Sequence, residues 1–376
     1  MRLLIDASNL VPESGGFVHL KKTLENFTKK KFDKIVIVSS KEVIKKLNIK
    51  NPKILFETNL FLNKNLFYRI FWKVFILNFT AKKFKSDVIF ILGGYFVIKP
   101  NIPTIILIQN LLPFSNISIA DENVLTVVKN IILRVLHKYS IRRADLSVYL
   151  SRHTNNILKN LTDKYLIINH GVEKDFYYKR VKFHKFNSKN NHRKFKILYL
   201  SKYEKYKNHI NLVRACQYLK NKGHNISLDL VGIKNNNFEK SKLFFLIKKI
   251  NKKHKDLINV RKIETHRNIK KILKKYDLHV YPSTCESFGI IILETIASSL
   301  PIICSDYPVF KEILRKNTLY FNPYNFLDIS KKILIYMNNN LLRKNNTMKL
   351  FRLSKNYNWD LTCEKTYLAI KKQLKT

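Results

Sequence analysis

The chain has 376 residues, 45% hydrophobic and 12% aromatic, which suits packed globular domains rather than a disordered chain. At this length two cores are the default. Lys and Arg number 71 against 26 Asp and Glu, a formal net charge of +45, and three sources for that charge stay open. One is coding bias towards Lys, Asn and Ile. Another is nucleic-acid binding, which lacks any RNP, zinc-finger or helix-turn-helix signature here and is the least favoured. The third is attraction to an anionic cytoplasmic leaflet, where each nearby basic residue contributes about 1 kcal/mol.

In chain order, short apolar runs alternate with longer amphipathic ones. The first are RLLIDAS, KIVIVSS, DVIFILGG, PTIILIQN, LSVYLS and YLIINHG. The opening run is too short for a signal peptide, and no run reaches the length that spans a bilayer. Between DVIFILGG and the preceding runs, Asn59–Lys85 places Phe61, Phe67, Phe71, Trp72, Phe75 and Phe79 among Lys64, Arg69, Lys73, Lys82 and Lys83. Such a segment fits either an ordinary core helix or an interfacial one that docks on anionic lipid. A polar interval, Arg180–Lys194, follows, and then the pattern restarts with FKILYLSK, ISLDLVGI, INVRKIE, LHVYPS and LPIICSD. Short β-rich runs separated by helix-length segments predict two α/β domains with parallel sheets and crossover helices. The expected boundaries are 1–180, a linker at 181–194, a second domain at 195–355 and a closing helix at 356–376. Cys216, Cys285, Cys304 and Cys363 are dispersed without CxxC spacing, which fits reduced thiols in a cytoplasmic protein.

Ligands of open parallel sheets bind beyond the carboxyl ends of the strands, which directs attention to the loops there. In ESFGIIILE, Glu286 stands before Ser287-Phe288-Gly289, and Glu294 sits inside the apolar run that follows. A helix from Ile290 would leave the amides of Phe288, Gly289 and Ile290 free to hold an anion. Glycine at 289 lets that anion approach the backbone. Glu294 would lie roughly 8–12 Å along from Glu286, so one elongated ligand could touch both. A capping glutamate and a salt-bridged helix glutamate are the plainer alternative.

This segment resembles the Glu-x7-Glu motif of retaining glycosyltransferases of the GT-B fold, family 4, the group that builds bacterial lipopolysaccharide and capsule. The resemblance implies two facing Rossmann-like domains with an interdomain cleft and a nucleotide-diphosphate sugar, such as a UDP- or GDP-hexose, as donor. It puts Glu286 against the donor sugar, the amides of Phe288–Ile290 with Ser287 on the diphosphate, and Glu294 on the ribose hydroxyls. ILYLSKYEKYKNHINLVRA resembles the family's diphosphate clamp, with Lys207 matching its lysine and Lys202 standing where arginine is usual. Lysine is a point charge without the bidentate fork, so the clamp is expected to lean on Lys207. The position of Glu264 resembles the loop that reads the base, and Glu312 in SDYPVFKEIL fits the family's Pro-x-x-x-Glu.

In the first half, Gly15-Gly16 resembles the family's glycine loop, and Gln109-Asn110 stands where relatives carry a histidine. An amide hydrogen-bonds but does not titrate near neutral pH, so a histidine-dependent mechanism is not expected. Ser151, His170 and Gly171 match signposts that line the cleft or serve structure. NYNWDLTCEKTYLAIKKQL resembles the closing helix. No Asp-x-Asp occurs, so no metal is expected. No cofactor is expected beyond the substrate. The expected partners are a nucleotide-sugar donor, a glycan or lipid-linked glycan acceptor and an anionic membrane surface, with the protein peripheral on the inner face of the cytoplasmic membrane. A nucleotide-sugar epimerase of the same architecture is the nearest rival.

Overall fold

The computed structural model describes residues 1–63, 66–115, 124–186, 193–232, 238–262 and 266–374. They form two compact units, Met1–Gly171 with Asn358–Thr376, and Val172–Tyr357. The interval 181–194 falls within the second unit, and its residues 187–192 lie outside the described residues.

The first unit is built on a parallel sheet that has seven strands among the described residues: β1 (Arg2–Asp6), β2 (Lys34–Val38), β3 (Ile54–Glu57), β4 (Val88–Ile91), β5 (Thr104–Ile108), β6 (Leu146–Tyr149) and β7 (Tyr165–Ile167). Their order is β3-β2-β1-β4-β5-β6-β7. Leu3 of β1 aligns with Ile35 on one side and Val88 on the other. Strands β4 and β5 are buried along their whole length, as continuous apolar runs of a two-sided parallel sheet should be. The connecting helices are α1 (Gly15–Phe27), α2 (Lys41–Leu47), α3 (Leu66–Phe75), α4 (Leu77–Lys83), α5 (Val124–Arg143) and α6 (Arg152–Leu158).

The second unit repeats the scheme with β8 (Phe195–Leu200), β9 (Ile226–Val231), β10 (Ile258–Arg261), β11 (Leu278–Tyr281), β12 (Ile302–Ser305) and β13 (Tyr320–Phe321), ordered β10-β9-β8-β11-β12-β13. Its helices are α7 (His209–Asn221), α8 (Lys242–Lys253), α9 (His266–Leu273), α10 (Ile290–Ala297), α11 (Pro308–Leu314), α12 (Phe326–Asn338) and α13 (Asn340–Ser354). In both sheets the winding reverses once, at β1/β4 and at β8/β11, and those reversals open a crevice at the strands' carboxyl ends. Two doubly wound parallel sheets bear out the expected fold class.

The chain returns to the first unit as α14 (Trp359–Lys372). Asn358 caps it by accepting a bond from the Leu361 amide at 2.7 Å. Thr362 Oγ1 donates to the Asn169 carbonyl at 2.8 Å, and Lys30 pairs with Glu364 across from α1. Trp359 lies edge-on to His19 at 5.6 Å and against His170 at 5.5 Å. A Cβ on Gly171 would sit 2.2 Å from the Trp359 amide nitrogen. Only glycine lets the backbone of that position lie against α14.

The segment Asn59–Lys85 is a short 3-10 turn (Leu60–Asn63) followed by α3 and α4, and its side chains divide between two directions. Trp72, Leu62 and Leu77 are buried, while Phe67, Phe71, Phe75 and Phe79 are exposed. Trp72 is therefore a core residue, which removes it from any lipid-facing surface. Lys73, beside it, is fully buried and pairs with Asp6 at the end of β1. Burial pulls the Lys73 ammonium below its ordinary value, and Asp6 works against that pull.

Candidate functional site

The second switch point gathers most of the residues that the sequence singles out. Lys207 ends a 3-10 turn (Lys205–Lys207) after β8, and Tyr199 Oη donates to its carbonyl at 2.6 Å. Glu286 follows β11. The two loops are tied directly, because the Thr284 amide donates to the Tyr206 carbonyl at 2.8 Å and Thr284 Oγ1 to the same oxygen at 3.0 Å. With the loops fixed, Lys207 Nζ pairs with Glu286 Oε1, the side chains being 12% and 14% exposed. The structure thus joins Lys207, expected in the diphosphate clamp, to Glu286, expected against the donor sugar.

Glu286 Oε1 also accepts from Tyr281 Oη at 2.7 Å and Ser283 Oγ at 3.0 Å. Three donors converge on one oxygen, and Oε2 accepts none among the described residues. Tyr281 is buried, and desolvation first, with Glu286 second, keeps its phenol well above its ordinary value. It is therefore a permanent donor near neutral pH. Such charge-assisted bonds are the stronger kind, and all three fall on Oε1.

Helix α10 begins after Gly289, whose φ of 92° lies in the left-handed region. A side chain there would strain the turn. The first-turn amides of a helix lack intrahelical acceptors, so this turn presents donors beside Glu286, as the sequence predicts. Phe288 packs edge-on to Tyr357 at 6.0 Å, which ties the Phe-Gly turn to the last residue of the same unit. Glu294, further along α10, is 3% exposed. A second bolt holds α10 in place. The Leu200 amide donates to His279 Nε2 at 3.4 Å, and burial pulls His279 down to about 3. A neutral ring that accepts at Nε2 carries its proton on Nδ1, so it donates to Thr295 Oγ1 at 2.8 Å, and Thr295 Oγ1 donates to the Ile291 carbonyl at 2.7 Å.

Lys202 lies in the same loop as Lys207, exposed and outside this hydrogen-bonded cluster. Glu264 lies outside the described residues. Among the described residues no group of acidic, histidine and cysteine side chains is spaced to hold a metal ion.

At the first switch point, Gly15 and Gly16 are the opening residues of α1, capped by Ser14, whose Oγ accepts from the Phe17 amide at 3.2 Å. The expected glycine loop is thus the first turn of a helix. A Cβ on Gly16 would lie 2.5 Å from Gln109 Oε1, so the glycine admits the glutamine side chain, and the structure brings these two predicted positions together. Asn110 serves the backbone, its Oδ1 accepting from the Leu112 amide at 3.0 Å. His170 is buried, with its Nδ1 at 3.1 Å from Nδ1 of His19. Desolvation, with His19 adding to it, holds His170 well below the ordinary value, and His19 falls to about 4.

Sequence reasoning missed Tyr281 and Tyr199, which stood in the quoted strands as plain β residues, and Ser283, which read as a turn residue beyond the strand. It also missed the Asp6–Lys73 pair. The one available signal for Tyr281 and Ser283 was their place at the carboxyl end of the strand next to the switch point.

Comparison with known proteins agrees with this architecture. Residues 181–349, all within the second unit, match the family model for Glycosyl transferases group 1. A stretch of 50 residues is 54% identical to the O-antigen chain mannosyltransferase RfbU of Salmonella typhimurium, strain LT2, and spans 13% of this chain and 14% of that protein. Sucrose-phosphate synthase from Thermosynechococcus elongatus superposes with a TM-score of 0.80 at 13% identity, over 99% of this chain and 98% of the other. Anabaena Alr3699/HepE in complex with UDP and glucose superposes with a TM-score of 0.73 at 13% identity, over 99% of both chains. These likenesses show the GT-B fold.

Proposed function

We propose that the protein transfers a hexose from a nucleotide-diphosphate sugar to a hydroxyl of a lipid-linked surface glycan, with retention of anomeric configuration. One observation carries the reading: the Lys207–Glu286 pair stands at the second switch point beside the amide-bearing first turn of α10. The group 1 domain match over residues 181–349 supports glycosyl transfer. The UDP and glucose bound to the Anabaena protein support a nucleotide-sugar donor, and the O-antigen relative supports a surface glycan as acceptor.

In this reading the diphosphate rests on the amides of Phe288–Ile290, where helix geometry favours an anion. Lys207, with Lys202 nearby, adds positive charge as the leaving group departs. Glu286 turns its free Oε2 to the sugar hydroxyls, and Glu294 takes the ribose diol. The bond from the anomeric carbon to the diphosphate oxygen breaks, the acceptor oxygen forms its bond on the same face, and its proton passes to the departing phosphate. No divalent ion is called for, since lysines and the helix terminus supply the charge. Unit 1 takes the acceptor near Gly15, Gly16 and Gln109. A lipid-linked acceptor lies at a bilayer surface, so the protein works peripherally on an anionic cytoplasmic leaflet.

The test is a panel of nucleotide sugars, read by nucleotide release with and without a lipid-linked glycan and by thermal shift. Release that depends on the acceptor, with the anomeric configuration kept in the product, is expected. An epimerised sugar formed without acceptor would replace transfer with epimerisation, and no thermal shift with any nucleotide sugar would remove the donor site.

A further inference from the structure

Three helices of the first unit carry apolar faces that stand exposed among the described residues. On α3 and α4, Phe67, Phe71, Phe75 and Phe79 recur at helical spacing with exposures of 72%, 45%, 63% and 66%. On α5, Val124, Val128, Ile131 and Val135 form a second stripe, each at least 48% exposed. Scattered apolar residues on a surface need no explanation, but aligned rows do.

The two rows belong to one side of the unit. The β3-to-β4 and β5-to-β6 connections advance in the same direction along the sheet. Right-handed crossovers therefore place α3–α4 and α5 on the same face, with α1 and α2 on the other. One residue joins them, since Lys73 of α3 lies 4.8 Å from the Tyr95 ring and His137 of α5 lies 5.4 Å from it. Crossover helices run against the strands, so the first turns of α3 and α5 sit at the sheet's carboxyl edge. That edge also holds Gly16 and Gln109.

The charge on these helices has one sign. Neither Leu66–Lys83 nor Val124–Arg143 contains Asp or Glu. Exposed Lys82, Lys83, Lys129, Lys138, Arg142 and Arg143 accompany the apolar rows. Apolar rows with only basic companions are complementary to a surface that is oily below and anionic above. Aliphatic Val and Ile on α5 offer no stacking platform for bases, so that row of the face is unlike a single-stranded nucleic-acid groove.

We infer that α3, α4 and α5 together form a docking surface for an anionic lipid bilayer, with Phe67, Phe71 and Phe75 and the Val124–Val135 row entering the interface. The inference rests on the reading of a lipid-linked acceptor and says which residues bring the enzyme to it.

The experiment is vesicle flotation with the full chain, comparing phosphatidylglycerol-containing and pure phosphatidylcholine vesicles at low and high salt. Binding to the anionic vesicles alone, weakened by salt, is expected. The variants Phe71→Ser/Phe75→Ser and Val128→Ser/Val135→Ser should each weaken it at least about tenfold, because each removes two inserting side chains. Their melting temperatures should stay near wild type, since the mutated side chains are exposed. Should either pair fail to fold, Lys129→Glu/Lys138→Glu tests the same face by charge alone. Equal binding to both vesicle types, binding to neither, or vesicle binding abolished by competing RNA would overturn the inference. So would α5 variants that float like wild type. Thermal shift with nucleotide sugars, run on the same samples, reads the donor site separately, so a protein that binds donor but not vesicles sinks the docking surface alone.

Discussion

Tyr281→Phe isolates the geometry around Glu286. The substitution keeps the ring, and with it the edge-on contacts to Tyr199 at 5.7 Å and Phe310 at 5.5 Å. It deletes one O–H, which donates to Glu286 Oε1 at 2.7 Å. A hydrogen bond to a charged group contributes about 1.5–3 kcal/mol net, and both partners are shielded from water here. Lys207 and Ser283 remain on the same oxygen, so the carboxylate loosens without leaving. About half of the bond's worth should then reach the transition state, and kcat for nucleotide release at saturating donor should fall by about four- to thirteenfold. Donor KM should move less than about twofold, because Tyr281 acts through Glu286 and does not hold the donor itself. A cycle with Glu286→Gln supplies the control. If Tyr281 works through Glu286, its effect should largely vanish once Glu286→Gln is already in place. An unchanged kcat with a lowered melting temperature would show that Tyr281 only packs, and the positioning argument would fail.

Glu294→Gln should raise donor KM while Glu286→Gln mainly lowers kcat, as steady-state kinetics on each will show; equal and full activity in both would remove the paired-glutamate site. Transfer should persist in excess EDTA, and a loss restored by Mg²⁺ or Mn²⁺ would refute charge neutralisation by lysine and helix terminus. Lys73→Met leaves Asp6 buried without its partner and should cost about 3–5 kcal/mol in urea unfolding, with Asp6→Asn/Lys73→Met recovering part of the loss. Acid should destabilise the fold early, because burial holds His19 and His137 at about 4, His209 and His279 at about 3, and His170 well below its ordinary value. Each folded pKa lies below the unfolded 6.5, so unfolding takes up protons below that point. Stability is full above about pH 6.5 and falls by up to about 1.4 kcal/mol per pH unit per histidine as pH drops towards 4. A urea midpoint flat between about pH 6.5 and pH 5 would contradict this sign.

The elements were largely legible, because two-sided parallel strands leave continuous apolar runs and their crossovers leave amphipathic ones. Glu286, Gly289 and Glu294 were legible for another reason, since a short polar-glycine turn before a wholly apolar helix has few purposes. Contacts between distant segments were not. Asp6 and Lys73 meet only after β1 and α3 are assembled, and no local pattern links them. Trp72 and Phe71 are neighbours of the same character, yet one turns inward and the other outward, a choice made by the crossover's rotation. Gly15-Gly16 read as a loop because helix-disfavouring residues stood where the Ser14 cap in fact starts α1. Tyr281 read as a strand residue because its bond partner's role depends on where β11 ends.

The return of α14 to the first unit has a consequence for how the molecule is made. A ribosome delivers Met1–Gly171 first, but that segment lacks the helix against which His19, His170 and Gly171 pack. The second unit is one continuous stretch, Val172–Tyr357, and has every strand it needs as soon as it emerges. The half translated first is therefore the half completed last, waiting with an apolar groove open along α1 until Trp359 and its turn arrive. During that interval the nascent chain is a client for chaperones that hold exposed apolar surface. Nonsense mutations just upstream of Asn358 should then cripple the amino-terminal unit while sparing the unit they interrupt, an inversion that pulse-labelled proteolysis of stalled nascent chains would reveal.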